Sequence, residues 1–449
     1  MSQLNLVLVL ATFALTPLLF FVQSPRVALR NYLWLLPFLP DYIVTDLGVK
    51  ISAMRAATLV LLFALLHRDA RIFRPRWNLM DFAVFSWIFC YLLAVVPSPP
   101  IGEGIVFGLG VLVETLVPYL IFRAVVQNVE DLRELLSSLW KLPYLVLLLA
   151  MIQSTTGWNL FDSLKSAGLF GNYHAGMQRL GLVRADVGLT HYIMLGFWFA
   201  YQLPIAIGHL AGLGYDFGRI LVRVLHLPAG AFFSLSGGSF LVALMGGGGF
   251  AVFNLRKIWP VLLLLAISLI AYVEVFSNRG FLRVVASYSA TDANSAYYRT
   301  QLPAAVYEKM PGYWILGHGR HKPPMGQYND ITNNYLFYLL HGGLLTVGSF
   351  LFCFVVAINR VYRCAKTALS RYLAMLSWGV GVSLAALGLG LITVTLFGQM
   401  HTYLLLLFAM SASMLEAARL ESEAFRRLMP GCESRVGWEQ GLASGGQQA

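Results

Sequence analysis

Along the chain, long apolar stretches alternate with short polar ones, and the apolar stretches have lengths that suit crossing a bilayer rather than covering one face of a soluble core. They run near 3–22, 51–66, 80–97, 104–122, 141–153, 190–210, 219–235, 239–254, 259–276, 334–357, 373–395 and 401–417, about twelve in all. The stretch at 141–153 is short unless Leu136–Leu139 extends it. The pattern predicts an all-α fold: a polytopic membrane bundle over residues 1–417 with two long external loops, at about 155–188 and 277–331. Residues 418–449 read as a cytoplasmic tail, an amphipathic helix followed by Gly/Ser/Gln-rich sequence.

Basic clusters set the orientation. Arg68, Arg71, Arg74 and Arg76; Arg123, Arg133 and Lys141; Arg219 and Arg223; Arg256 and Lys257; and Arg360, Arg363, Lys366 and Arg371 all fall on one side of this arrangement, the cytoplasmic one. The short opposite loops at 98–103, 236–238 and 396–400 carry no Lys or Arg. Arg26 and Arg30 dissent. Either Trp34–Val44 is a Pro-broken thirteenth span with the N-terminus outside, or Asn31–Lys50 lies in the outer interface and both termini are cytoplasmic. Pro37, Pro40, Asp41 and Asp46 make a poor lipid-facing helix and favour the second alternative.

Composition sharpens the class. Hydrophobic residues make up 58% of the 449 positions and charged ones 12%, too few charges to coat several soluble domains. The net charge of +11 is a topology signal first; nucleic acid is not an expected partner. Cys90 and Cys353 lie in apolar runs and Cys364 and Cys432 beside basic sequence, so no disulfide or thiolate metal site is expected. The first 22 residues lack a basic start and a small-x-small cleavage site, the mark of an uncleaved first span.

The external loops hold the candidate chemistry. The second carries Arg279, Arg283, Arg299, Lys309, Arg320 and Lys322 against Asp292, Glu308 and Asp330; the first carries Lys165, Arg179 and Arg184 against Asp162 and Asp186. Cationic loops over an apolar bundle suit a substrate with a lipid tail and a phosphate or diphosphate head, which guanidinium forks clamp through two oxygens at once. Glu114, in mid-span, either bonds across the bundle or faces the site. His318 and His321 flank Arg320 in what reads as a solvated turn, with no ligands to complete a metal set. Gly246–Gly249 lacks the Lys-Ser/Thr of a phosphate loop and points to close helix contact.

The segment Arg184-Ala185-Asp186-Val187-Gly188-Leu189-Thr190-His191-Tyr192 resembles the Arg…Gly…(His/Asn) segment of the O-antigen ligase and polymerase superfamily. Tyr298-Arg299 followed by Pro311-Gly312-Tyr313-Trp314-Ile315-Leu316-Gly317-His318-Gly319 is similar to that family's Arg…Pro…Gly-x-Gly run. Thr332-Asn333, then Gly343 and Thr346, resemble its His-(Asn/Ser/Gln)…Gly-x-x-Thr pattern with the first position changed, and Leu116–Arg123 matches at a span end. Together these cover roughly residues 50–417 in span order. The chain departs at Thr332, where ligases have His, and at Ser236-Gly237-Gly238, where the family often has Ser-Arg-Gly.

The resemblance implies metal-independent glycosyl transfer, without a cofactor, on the periplasmic face of a bacterial inner membrane. The donor is a glycan on undecaprenyl diphosphate; the acceptor is a glycan or a lipid, and other polysaccharide-assembly proteins are the implied partners. Arg184 and Arg299 would bind the diphosphate, unless Arg184 only anchors a span and Arg299 only pairs with Glu308. Asp330 is a candidate base or a helix cap, and His191 a candidate base or a helix-end packing residue. His341, seven residues past Asn334 and so about 10 Å deeper, reads as a bundle histidine. A threonine hydroxyl is no base near neutral pH, so Thr332 favours a polymerase over a ligase. The rivals are a transporter or flippase of lipid-linked glycan and a non-catalytic scaffold of exopolysaccharide assembly.

Overall fold

The computed structural model describes residues 3–46, 50–69, 75–161, 177–253 and 293–428, with isolated positions between 258 and 275. Most of the predicted span at 259–276, the cations Arg71, Arg74, Lys165, Arg256, Lys257, Arg279 and Arg283, the anions Asp162 and Asp292, Cys432 and the tail after Leu428 lie outside the described residues.

The protein is mostly helical. Helices α1 (Gln3–Phe20), α2 (Pro25–Leu35) and α3 (Ala53–Asp69) are followed by α4 (Leu79–Val95), α5 (Ile101–Glu114), α6 (Leu116–Val125), α7 (Val129–Leu139) and α8 (Leu142–Thr156). After a small hairpin of β3 (Gln178–Arg179) and β4 (Leu182–Val183) come α9 (Tyr192–Gly212), α10 (Phe217–Val224), α11 (His226–Phe233) and α12 (Gly237–Ala251). Then follow α13 (Ala293–Glu308), α14 (Asn334–Thr367), α15 (Arg371–Gly390) and α16 (Gln399–Leu428). A second two-stranded ribbon, β1 (Val44–Asp46) with β2 (Lys50–Ser52), joins α2 to α3.

Among the described residues, six segments are long and apolar enough to cross a membrane: Ile101–Val125, Val129–Thr156, Tyr192–Gly212, Asn334–Thr367, Arg371–Gly390 and Gln399–Phe425. This is fewer than the sequence pattern predicts, in part because several apolar stretches are broken or short. The stretch at 219–235 is two eight-residue helices, α10 and α11, that meet at Leu225. Leu79–Val95 and Gly237–Ala251 are apolar but shorter. In α12 the glycine run packs as expected: a Cβ on Gly246 would lie 3.1 Å from Pro204, and one on Gly249 2.7 Å from Val382.

Among the described residues, the basic clusters around Arg123, Arg133 and Arg360 gather at one end of the bundle. Arg123 and Asp81, both buried, pair at 2.7 Å; the same guanidinium donates to Ser413 Oγ and Arg76 O, and Tyr119 Oη donates to Asp81. Arg360 bonds Ala412 O and Glu416, and Arg133 lies over the Tyr372 ring. Apolar helices tolerate such buried charges only when they are paired and hydrogen-bonded, as they are here.

The N-terminal region corrects the expectation that Asn31–Lys50 lies flat in an interface. Arg26 pairs with Asp131 at 2.5 Å and Arg68 donates to Phe21 O at 2.6 Å, which fixes the α1–α2 turn at the basic end. From there α2 runs antiparallel to α16: Tyr403 Oη donates to Leu33 O and Gln399 Nε2 to Leu39 O. The prolines are accommodated because α2 begins at Pro25 and gives way to a 3-10 turn at Leu36–Phe38, so Pro37 interrupts no α-helical ladder. Its inner face, Ala28, Leu29, Tyr32 and Leu33, is buried, and Asp41 emerges at the end opposite the basic one.

Candidate functional site

A cavity of about 720 Å³ opens at that opposite end, a size within the usual range of small-molecule sites. Asp41, the starts of α9 and α14, the 322–332 segment, the 394–398 loop and the facing sides of α4 and α5 form its wall. His191, Arg299, Asp330 and Thr332, singled out in the sequence, all line it. So do Asp41, Glu114, Lys322, His341 and His401. Aromatic rings give the wall between α4 and α14 its rigidity: Trp87 and Tyr91 meet Tyr338 edge-on at 5.9 and 5.6 Å.

Arg299 is placed by α13, which is a docked element rather than a free loop. Leu302 and Val306 on α13 and Met310 just after it form a small core with Met325, Ile331, Leu336, Leu339 and Leu340. Tyr298 Oη donates to Asp330 O at 2.6 Å and ties the helix to the segment that follows it. Glu308 is exposed. Lys322 donates to Asn329 O, and burial lowers its pKa, an effect that Asp330 opposes. Arg299 and Lys322 thus share one wall, with Asp330 beside the lysine.

The floor is made where three loops converge. Gln399 Nε2 donates to both Leu39 O and Gly188 O, at 2.9 and 2.8 Å. Thr190 Oγ1 donates to Asp41 Oδ1 at 2.5 Å. Thr190 does this from φ 64°, a conformation that costs a β-branched residue about 1–3 kcal/mol and persists only where its surroundings impose it. On the other side, Gly398 (φ 56°) leaves room for the second carboxylate oxygen; a Cβ there would sit 2.9 Å from Asp41 Oδ2. Burial, with a smaller contribution from Glu114, raises the Asp41 pKa above the ordinary carboxylate value, while the Thr190 bond works the other way. Glu114 both bonds across the bundle and faces the site: it pairs with Arg55 at 2.8 Å while lining the cavity.

Two expectations about α14 are corrected. Asp330 is no helix cap; Asn333 is, its Oδ1 accepting from Tyr335 N and Leu336 N. Nor is α14 a straight rod in which His341 lies too deep to matter. At Gly343 the backbone turns to φ 66°, ψ −170°, a conformation only glycine adopts readily. The 313–319 segment reaches in to meet the break: His318 N and Gly319 N donate to Leu340 O and His341 O, and Leu344 N donates to Trp314 O. Groups freed by the break are thereby satisfied within the protein, as an apolar setting requires. His341 Nδ1 bonds Gly319 O at 2.8 Å, and the ring lines the cavity. Thr346 is buried beneath Gly342, where a Cβ would come 2.2 Å from its hydroxyl.

Other residues keep more ordinary places. His191 caps α9 through Nδ1, which accepts from Ile193 N, so this nitrogen is not available as a base. Arg184 does not line the cavity. Its guanidinium lies 3.4 Å over the ring of Tyr192, which does, and its Nε reaches Ser234 O. Arg179 on the β3–β4 hairpin donates to Leu235 O, so both arginines dock this segment on the carboxyl end of α11, a favourable site for cations. His318 is held, not solvated: its Nε2 bonds Lys309 O and its ring stacks on Tyr313 at 3.9 Å.

Sequence reasoning missed Asp41 as a cavity residue, named Lys322 only as one of several loop cations, and discounted His341. The one available signal was the cost of an aspartate in an otherwise apolar, proline-broken stretch. Compared with known proteins, the chain matches no family model and no curated protein.

Proposed function

We propose that this protein is a membrane glycosyltransferase that polymerises or ligates glycans carried on undecaprenyl diphosphate, with the cavity as its site and the periplasmic side of a bacterial inner membrane as its working face. The observation that carries this reading is the polarity of the cavity: Arg299 and Lys322 on the wall built by α13 and the 322–332 segment, Asp41 and Glu114 on the wall built by the α2 end and α5. Such a site matches a reaction in which negative charge gathers on a departing diphosphate while a hydroxyl on the other side gives up a proton. The aromatic surface of Trp87, Tyr91 and Tyr338 suits sugar rings, and Phe107, Val111 and Ile88 continue it as an apolar path for the lipid. Arg184 serves at one remove, by holding Tyr192. The complement of about twelve spans, or thirteen with the α2 stretch, and the cytoplasmic placing of the basic end belong to the same proposal.

Within it, a repeat-unit polymerase is favoured over a ligase, because Thr332 stands where ligases have histidine. The test is direct. The purified chain, reconstituted in liposomes with a polyprenyl-diphosphate oligosaccharide, is expected to lengthen the glycan and release the lipid diphosphate. Movement of intact donor across the bilayer with no diphosphate released would make it a transporter instead. Loss of the protein in cells should leave single repeats in the envelope if it polymerises, and long chains stranded on the lipid if it ligates.

A further inference from the structure

We infer that Asp41 is the proton acceptor of the cavity, taking the proton of the attacking hydroxyl while the Thr190 hydroxyl holds its carboxylate in place; the inference rests on the glycosyl-transfer reading. In the step, the acceptor oxygen forms its bond to the anomeric carbon as the bond from that carbon to the diphosphate oxygen breaks. The electron pair leaves with the lipid diphosphate toward Arg299 and Lys322, and the hydroxyl proton passes to Asp41.

Three observations single this carboxyl out. First, it is built in: Thr190 fixes one oxygen at 2.5 Å, Gly398 leaves space for the other, and Gln399 ties the loops that carry all three. Second, the other cavity carboxylates are differently employed, Glu114 by Arg55 at 2.8 Å and Asp330 as an exposed neighbour of Lys322. Third, attack on the anomeric carbon comes from the face away from the leaving group, and Asp41 has Thr190 and Glu114 for electrostatic neighbours, whereas His341 has Lys322. That puts the histidine on the diphosphate side. The raised proton affinity of Asp41 agrees with the role, since a carboxyl above its usual range is the stronger base.

The experiment uses the full chain in liposomes with a polyprenyl-diphosphate oligosaccharide as donor. Asp41→Asn keeps the shape and can still accept the Thr190 hydrogen bond, so its melting temperature near neutral pH should equal or exceed that of the wild type. Its transfer rate should fall about 100- to 10,000-fold, the usual effect of losing a general base. Azide, an anion with no proton to lose, should restore diphosphate release in Asp41→Ala and yield a glycosyl azide. Thr190→Val should lower kcat about tenfold with little change in KM, and Thr190→Ser should recover it. Transfer by Asp41→Asn within about threefold of wild type overturns the assignment. So does azide rescue of His341→Ala without rescue of Asp41→Ala. A wild-type protein that releases no diphosphate overturns the glycosyl-transfer reading as well, which tells the two failures apart.

Discussion

Arg299 and Asp41 face the same cavity with opposite demands on their chemistry. If Arg299 stabilises a diphosphate through its fork, Arg299→Lys should cost most of the activity although the charge is kept, because an ammonium cannot pair two oxygens in one plane. Transfer assays on the purified variant would check this, and full activity would remove Arg299 from the clamp. Asp41 carries a linkage prediction. Its pKa in the folded protein lies above that of an ordinary carboxylate, so the stability it confers is complete below the ordinary value and is lost as pH rises through the folded pKa. Melting temperatures of wild type and Asp41→Asn should therefore diverge upward through the acid range, in favour of the variant; parallel curves would contradict the placement of this carboxyl. The two proposed roles were not equally legible in the sequence. Arg299 was singled out by a resemblance, that of Tyr298-Arg299 and the Gly317-His318-Gly319 run to a family pattern, whereas Asp41 looked like an interface residue until Thr190, remote in the chain, was seen to hold it.

At the scale of elements, the broken helix is the most constraining feature. Gly343→Ala would bring a Cβ to 2.2 Å from Ile315 O in a backbone region closed to alanine, and should destabilise the fold by about 2–5 kcal/mol, read as a lowered melting temperature in detergent. Asn333→Ala should cost about 1 kcal/mol through loss of the α14 cap. The apolar runs at 334–357, 373–395 and 401–417 were legible because composition alone demands an apolar environment. The break at Gly343 was not, because its cause is a segment about twenty-five residues upstream whose amides replace those of the helix. The rise of about 1.5 Å per residue from Asn334 holds as far as His341, which precedes the break; the arrival of the 313–319 segment, whose Gly319 O bonds the histidine, is what the rise cannot show.

For the molecule as a whole, the described basic clusters lie at one end, where the α1–α2 turn is also held, and α2 runs from there along α16. Single cysteines at Ser24 and Lys50, both exposed, should consequently react with a membrane-impermeant maleimide from opposite sides, Lys50→Cys on the same side as a probe at Lys322. Labelling of both from one side would restore the interfacial alternative. The Asp81–Arg123 pair also bears on how the chain is made. Asp81 emerges from the ribosome 42 residues before the guanidinium that neutralises it, and that guanidinium waits a further 290 for the Ser413 hydroxyl. The corner where α4, α6 and α16 meet is thus left open through most of translation, and a nascent protein halted before its last helix would display an unfinished charge cluster to the quality-control proteases of its membrane.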